Sequence, residues 1–478
     1  MRKNKIVIIC TITVLLVALI VLGVMYLKTD FLKSDETLFY KYLSKTQILN
    51  PELTQRYKNM YEKVKQSNYS SSGNISYSVT KNDLDTNIAN IQEILSARYN
   101  VLNNISLKQA YADVTLSSLN QNITTIRYLK DNNTYGIKID NVVNKYLAVK
   151  NEKLKNFVTK LGIEDTSKIP DEIPTTSLEE LLRIDDTTLK NTKTTYINLV
   201  KEKINKNNFK KIKNSNGTRT FELSLSEKEV NEIEKALLEQ LKNDETVLNL
   251  VIEKMQKVGY ELNIDSIKTS IQEEIDDITN NNYSEEKGFF KLALTENDKE
   301  VTKIDITATI EQEEKDETYS IDNSENKTNE IYNISIDLTD KNKIPILIKT
   351  GEEISRVTIS LGYNDTNITT NIEILELDEQ LNPKKSGILF QYQVDNYNSD
   401  DIVQNALITL NYEGLSKTQI SMSNNIQIKQ DINIEKITDN NSAILNDKQA
   451  EELQQLFFKI QKRIEYLYGE KLDMFLNS

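Results

Sequence analysis

Hydrophobic positions along the chain follow three periods, each predicting a different kind of element. The first is continuous: Ile6–Leu27 runs for 22 residues without a charge. As a helix rising about 1.5 Å per residue it would be about 33 Å long, enough to cross a hydrocarbon core of about 30 Å. Arg2, Lys3 and Lys5 precede the run, and Lys28 with Asp30 follow it. The positive-inside rule therefore predicts a cytoplasmic N-terminus and places residues 28–478 outside. The run ends Leu22-Gly23-Val24-Met25-Tyr26-Leu27, with bulky residues where a signal peptidase needs small ones. An uncleaved, single-pass signal anchor in the cell membrane is the expectation. A lipoprotein anchor would need a cysteine after the run, but Cys10 lies near its start.

The second period is helical. Asp35–Leu43 and Pro51–Gln66 are predicted helices, the first capped by Ser34 and the second opened by Asn50-Pro51. Leu38, Phe39, Tyr42 and Leu43 share one face. Further helices are predicted over Asn151–Leu161, Ser177–Arg183, Thr195–Ile204, Glu245–Val258 and Ser266–Thr279. Ser226 with Glu229 forms a capping box ahead of the stripe Val230, Ile233, Leu237 and Leu241. A long helix over about Asp447–Phe475 carries Leu453, Leu456, Phe457, Ile460, Ile464 and Leu467 at helical spacing.

The third period is two. Ile75, Tyr77 and Val79 alternate with polar residues, as do Tyr99 and Val101, then Ala112, Val114 and Leu116, then the stretches to Leu129 and Ile139. Asn-rich breaks at Asn103-Asn104, Asn120–Asn122 and Asp131–Asn133 separate them, as in an antiparallel meander. Phe209–Lys213 and Thr218–Leu225 flank Asn216-Gly217, which predicts a hairpin with a type I′ turn. From Gly288 to about Thr438 strands return at short spacing, among them Ile304–Ile310, Ile334–Leu338, Ala406–Leu410 and Ile426–Ile434. One polar face on each fits antiparallel sheet with a solvated side.

Composition narrows the chemistry. The sequence has no histidine, which removes Ser-His-Asp and Cys-His catalysis and His-containing metal sites. Cys10 is the only cysteine, so residues 28–478 hold neither a disulfide nor a thiol nucleophile. A net charge of −13 argues against nucleic acid as a partner. Asp131-Asn132-Asn133 with Gly136 resembles the start of a calcium loop, yet Tyr135 and Val142 stand where oxygen ligands belong. The acidic run Glu311, Glu313, Glu314, Asp316 and Glu317 reads as a solvated face. Asn-x-Ser/Thr triplets at Asn74, Asn104 and elsewhere are expected by chance in so Asn-rich a chain. No Gly-rich phosphate loop appears, and no spacing singles out a carboxylate pair. Catalytic, cofactor-binding and metal residues are therefore expected to be absent, with ligand-binding residues unassigned.

The anchor, the stretch Ser34-Asp35-Glu36-Thr37-Leu38-Phe39-Tyr40-Lys41-Tyr42-Leu43 and the long meanders resemble a group of single-pass envelope proteins of low-GC Gram-positive bacteria. The strand–Asn-Gly–strand–capped-helix unit at 209–242 is more distantly similar to LolA-like and LppX-like lipoprotein carriers. That resemblance implies a curved antiparallel sheet wrapped around helices and an apolar cavity, and no catalytic residue.

The fold expectation is α+β: an N-terminal transmembrane helix, then antiparallel, half-barrel-like sheets with packed helices. Its parts are a cytoplasmic stub (1–5), the anchor (6–27), juxtamembrane helices (28–70), an α+β region (71–285), an antiparallel β region (286–446) and a terminal amphipathic helix (447–478). The expected function is a noncatalytic extracytoplasmic binding protein of the cell envelope holding an apolar or lipid ligand. A scaffold contacting envelope proteins is the alternative, and a carboxylate-dependent hydrolase the third.

Overall fold

The computed structural model describes residues 34–48, 50–82, 89–152, 154–162, 186–256, 262–313, 327–411 and 417–476. In chain order the first elements are α1 (Asp35–Lys45), α2 (Pro51–Lys65), β1 (Tyr69–Asn82), β2 (Ala89–Asn104), β3 (Gln109–Ser118), β4 (Gln121–Asp131), β5 (Thr134–Ile139), β6 (Tyr146–Lys150) and α3 (Leu154–Lys160). Then come α4 (Asp186–Lys203), β7 (Phe209–Lys213), β8 (Arg219–Ser226), α5 (Glu227–Asn243), α6 (Glu245–Gln256) and α7 (Ile264–Asn280). The rest are β9 (Lys287–Asn297), β10 (Glu300–Glu313), β11 (Lys327–Asp337), β12 (Lys343–Thr350), β13 (Glu353–Tyr363), β14 (Ile368–Leu377), β15 (Pro383–Asp395), β16 (Asp401–Asn411), β17 (Thr418–Ile428), β18 (Ser442–Ile444) and α8 (Ala450–Leu476). They divide between two compact units, one drawn from the ranges 1–50, 176–360 and 373–384, the other from 51–175, 361–372 and 385–478.

In the first unit the ladder runs β7-β8-β9-β10-β11-β12-β13, antiparallel throughout. Phe221, Leu223 and Leu225 of β8 stand opposite Leu294, Leu292 and Phe290 of β9, so their apolar side chains share a face. Helices α1, α4 and α5 cover that face through Leu38, Phe39, Tyr42 and Leu43, through Val200, and through Ile233 and Leu237. Tyr42 stacks on Phe221 with ring centroids 4.8 Å apart. Helices α6 and α7 form a second cluster, in which Leu248, Ile271 and Ile275 meet Leu238 and Leu241 of α5.

The β7–β8 turn differs from the expected type I′. Only Gly217 has positive φ, at 87°. Its N–H donates to Asn214 O at 3.1 Å, and Asn214 N–H donates to Thr218 O at 2.9 Å. This is a three-residue loop with its left-handed residue last, the other common hairpin geometry for a Gly-containing turn. Asn216 serves through its side chain, accepting from Thr218 N–H at 3.2 Å. The capping box is present: Ser226 accepts from Glu229 N–H at 3.3 Å, and Glu229 accepts from Ser226 N–H at 2.8 Å. Ser226→Ala is expected to lower stability by about 1 kcal/mol, measured by urea denaturation.

In the second unit the ladder runs β15-β16-β17-β1-β2-β3-β4-β5-β6-β18. Its middle joins distant segments, with Tyr69 opposite Ile428 and Val79 opposite Thr418. The segment after β17 crosses the sheet over β4 and β6 without forming a strand. There Ile432 and Ile434 are buried against Leu129 and Tyr146, and buried Asn104 donates to Ile432 O at 2.7 Å. The chain then enters β18, which runs parallel to β6.

Three expectations are corrected here. The strands belong to one mixed sheet of eighteen, with a parallel pair, and not to separate antiparallel or half-barrel sheets. The parallel pair arises because the 429–441 segment carries the chain back across the sheet before it pairs. No described helix is long and apolar enough to cross a membrane. Even α8, with 27 residues, carries charges along most of its length. The segment read as the anchor, 6–27, lies outside the described residues. The signal anchor, single-pass cell-membrane location and Gram-positive envelope grouping that followed from it are withdrawn. The helix expected at Ser177–Arg183 also lies outside the described residues.

Candidate functional site

Cross-strand partners share a face of a sheet, so the registers of the second unit sort its side chains into two sets. One face is polar. Ser76 and Ser421 bring their hydroxyls to 2.7 Å, Thr115 and Thr125 to 2.9 Å, and Arg127 grips Asp140 through Nε at 3.1 Å and a terminal nitrogen at 2.8 Å. The Arg127 guanidinium holds the Asp140 carboxyl below its usual range.

The other face is apolar. Ile420 and Met422 of β17 stand opposite Tyr77 and Ile75 of β1, which stand opposite Leu95 and Ala97 of β2. On β3 Leu116 stands opposite Ala97 and Val114 opposite Tyr99, while Leu95 faces Ser118. Val114 leads on to Ile126 of β4 and Ile139 of β5, Ala112 to Tyr128 and Ile137, and Leu116 to Thr124. Six strands spaced about 4.8 Å apart make this surface about 24 Å wide. It is not covered as the equivalent face of the first unit is. Ile75 is 42% exposed, Tyr77 37%, Ile420 37%, Ile126 36% and Ile137 50%.

Both flanks of the apolar face carry helices. On one side α2 lies over β14 and β15, with the Tyr57 hydroxyl 3.2 Å from that of Thr370, its ring stacked on Tyr392 at 6.2 Å, and Leu53 and Met60 buried. Arg56 fixes this helix by donating to Asn364 O at 2.9 Å and lying 4.9 Å from the Tyr363 ring; Lys63 adds bonds to Asn398 O and Ser399 O. On the other side Leu147 and Val149 of β6 pack beneath α3 and the first turns of α8. Along the strands the apolar rows end at a polar ladder in which Ser71 donates to Asn424 at 2.6 Å and Asn424 to Gln404 at 2.9 Å. Gly73 belongs to the same border. A Cβ there would meet Ser423 O at 2.0 Å and the Tyr99 hydroxyl at 2.5 Å, so glycine lets the Tyr99 ring lie across the strand.

The phenols of this face behave as apolar walls. Burial, with the Tyr57 phenol nearby, pushes Tyr392 up to about 12, and burial also raises Tyr99 and Tyr128. They remain uncharged at neutral pH.

The segments weighed as metal sites take other roles. Asp131–Asn133 is the β4–β5 turn, with Asn132 at φ 53°. The Asp131 carboxylate accepts from Gln109 at 3.0 Å and from Ile437 N–H at 3.2 Å. Of the acidic run, residues 314–317 lie outside the described residues. Among the described residues no group of three or more Asp, Glu, His or Cys side chains is placed to hold a metal ion.

No protein-family model matches the sequence and no curated protein matches it. Among solved structures, the translocator domain of autotransporter NalP from Neisseria meningitidis is similar at 5% identity and TM-score 0.17, over 84% of this chain and 99% of that one. A triple mutant of the Rhodopseudomonas blastica porin gives 7% and 0.19, over 75% and 99%. A mutant of transferrin binding protein B from Haemophilus parasuis gives 5% and 0.12, over 76% and 76%. Likeness at these scores carries no argument about the fold or role of this chain.

Proposed function

We propose that the chain is a noncatalytic binding protein that holds an apolar, chain-like ligand, such as an acyl chain, on the uncovered apolar face of the second unit's sheet. The supporting observation is the array of aliphatic and aromatic side chains across β17, β1, β2, β3, β4 and β5, interrupted only where Ser118 and Thr124 end two of its rows and half exposed between two helical flanks. Exposed apolar surface that is contiguous, as opposed to scattered, marks a binding site. Covering it returns about 25 cal/mol for each Å² removed from water, with no need for directional partners. An extended ligand lying across the strands fits a shallow surface of this width. The face presents aliphatic groups and neutral phenols and no acid–base pair, which favours holding over chemistry.

Of the two roles open to the 227–279 helices, filling a core or lining an apolar groove, α5 takes the first, because Ile233 and Leu237 belong to the first unit's core. The scaffold reading has less behind it. Two ladder ends, β7 and β18, are five and three residues long and offer little edge to a partner strand.

Binding of a fluorescent fatty acid to the full chain tests the proposal. Ile75→Asp combined with Ile420→Asp places two carboxylates on the face at positions already open to solvent. Uptake is expected to fall at least about tenfold, because a desolvated charge opposes an apolar ligand, while the melting temperature stays within a few degrees. Unchanged uptake in the double variant, or no uptake by the parent chain, would overturn the reading.

A further inference from the structure

A second surface in the same unit has a different character. On α8, Phe458, Lys462 and Tyr466 recur every four residues, with Lys459 and Arg463 one position on, so all five share one side of the helix. Together they line a shallow depression of about 360 Å³. This side points away from the packed one, where Leu453 is buried and Ile460 and Ile464 are half-buried. Phe458 is 60% exposed and Tyr466 81% exposed.

The basic groups sit beside the rings: Lys462 Nζ lies 5.8 Å from the Phe458 centroid and the Arg463 guanidinium 5.7 Å from that of Tyr466. Lys462 also pairs with Glu465 at 2.8 Å, Gln461 donates to the same carboxylate, and Arg463 Nε donates to Asn141 O at 3.0 Å. Between Glu452 and Glu470 the helix holds three cations and one carboxylate, in a chain whose net charge is −13. A local cationic surplus with protruding aromatic rings is the reverse of the chain's average surface.

We infer that this side of α8 docks on an anionic lipid bilayer. The Tyr466 ring, with its hydroxyl, lodges at the headgroup level and the apolar Phe458 ring at the acyl boundary beneath it, while Lys or Arg on flexible stems reach lipid phosphates from beside them. Charge complementarity selects the partner. Anionic headgroups attract Lys459, Lys462 and Arg463 at close range, within about a Debye length of the surface. The inference depends neither on residues 6–27 nor on ligand binding at the sheet.

The sequence contains no tryptophan, so Phe458→Trp in the full chain gives one indole that reports from this surface alone. With phosphatidylglycerol vesicles its emission is expected to shift to the blue and to be quenched by lipids spin-labelled near the headgroup. Phosphatidylcholine vesicles should leave it nearly unchanged. Adding Lys459→Ala and Lys462→Ala should weaken the response on the order of thirtyfold, and high salt should weaken it further. Emission that does not respond to phosphatidylglycerol vesicles would overturn the inference, as would a response equal on both vesicle types. Emission already blue without vesicles and unaltered by them would show that another protein surface covers this side of α8, which would overturn it equally.

Discussion

Leu237→Ala is expected to destabilise the protein by about 2–5 kcal/mol and to leave uptake of a fluorescent fatty acid unchanged. Leu237 is 7% exposed and belongs to the main core of the first unit, with Ile233 beside it on α5 and Phe290, Leu292 and Leu294 supplied by β9. Truncating it removes methyl groups from a packed interior built by three helices and six strands, so relaxation closes little of the space. Had α5 merely lined a groove, the same change would cost less and would alter uptake. Urea denaturation followed by circular dichroism reads the first quantity, and fluorescence titration of the same variant reads the second. A loss below about 1 kcal/mol together with altered uptake would move the ligand site to the first unit.

Helix starts were the most legible part of the fold, because they depend on a few local groups. Ser34 accepts from Thr37 N–H at 3.2 Å, Pro51 opens α2, and Ser226 with Glu229 opens α5, all as the residues predict. Where no cap marked the start the boundary was missed: α4 begins at Asp186, not Thr195, since its first two turns hold a single apolar residue, Leu189, and carry no stripe. Strand alternation was equally readable, but it does not encode partners. Nothing local in Tyr69–Val79 distinguishes Thr418–Ile428 as its neighbour, some 340 residues away. Ile432 and Ile434 alternate like strand residues yet belong to no strand, being held by side-chain packing and by the Asn104 amide on Ile432 O.

The candidate site was illegible for a related reason. Phe221-x-Leu223-x-Leu225 and Ile75-x-Tyr77 carry the same message, one apolar face. Whether helices cover that face depends on where the chain places them. In the first unit α1, α4 and α5 close over β8 and β9. In the second, α2 and α8 stop at the flanks, leaving Ile75 and Ile137 open. The alternation marks one apolar and one polar face on each strand, and it reads the same whether or not a helix covers the apolar one.

Arg219→Met should cost more than any surface change, about 3–5 kcal/mol, because it strands a carboxylate inside the first unit. The Glu296 side chain is 4% exposed, and Arg219 Nε donates to it at 2.7 Å. A terminal nitrogen of the same guanidinium donates to the Tyr42 hydroxyl at 2.8 Å, and the Tyr42 ring stacks on Phe221. One side chain thus ties β8 to β9 and to α1. Without it, Glu296 keeps the Lys299 N–H as a donor but faces no opposite charge at that position. Arg219→Lys should fall between, since an ammonium keeps the charge but cannot present the two-pronged geometry that reaches Glu296 and Tyr42 together. The decisive variant is Arg219→Met with Glu296→Leu. Replacing both members of a buried pair by apolar groups is often neutral, so the double variant should recover most of the loss. Equal destabilisation of the single and double variants would mean that Arg219 acts through its packing on Tyr42 and Phe221, and that the buried charge is not what makes the single change costly.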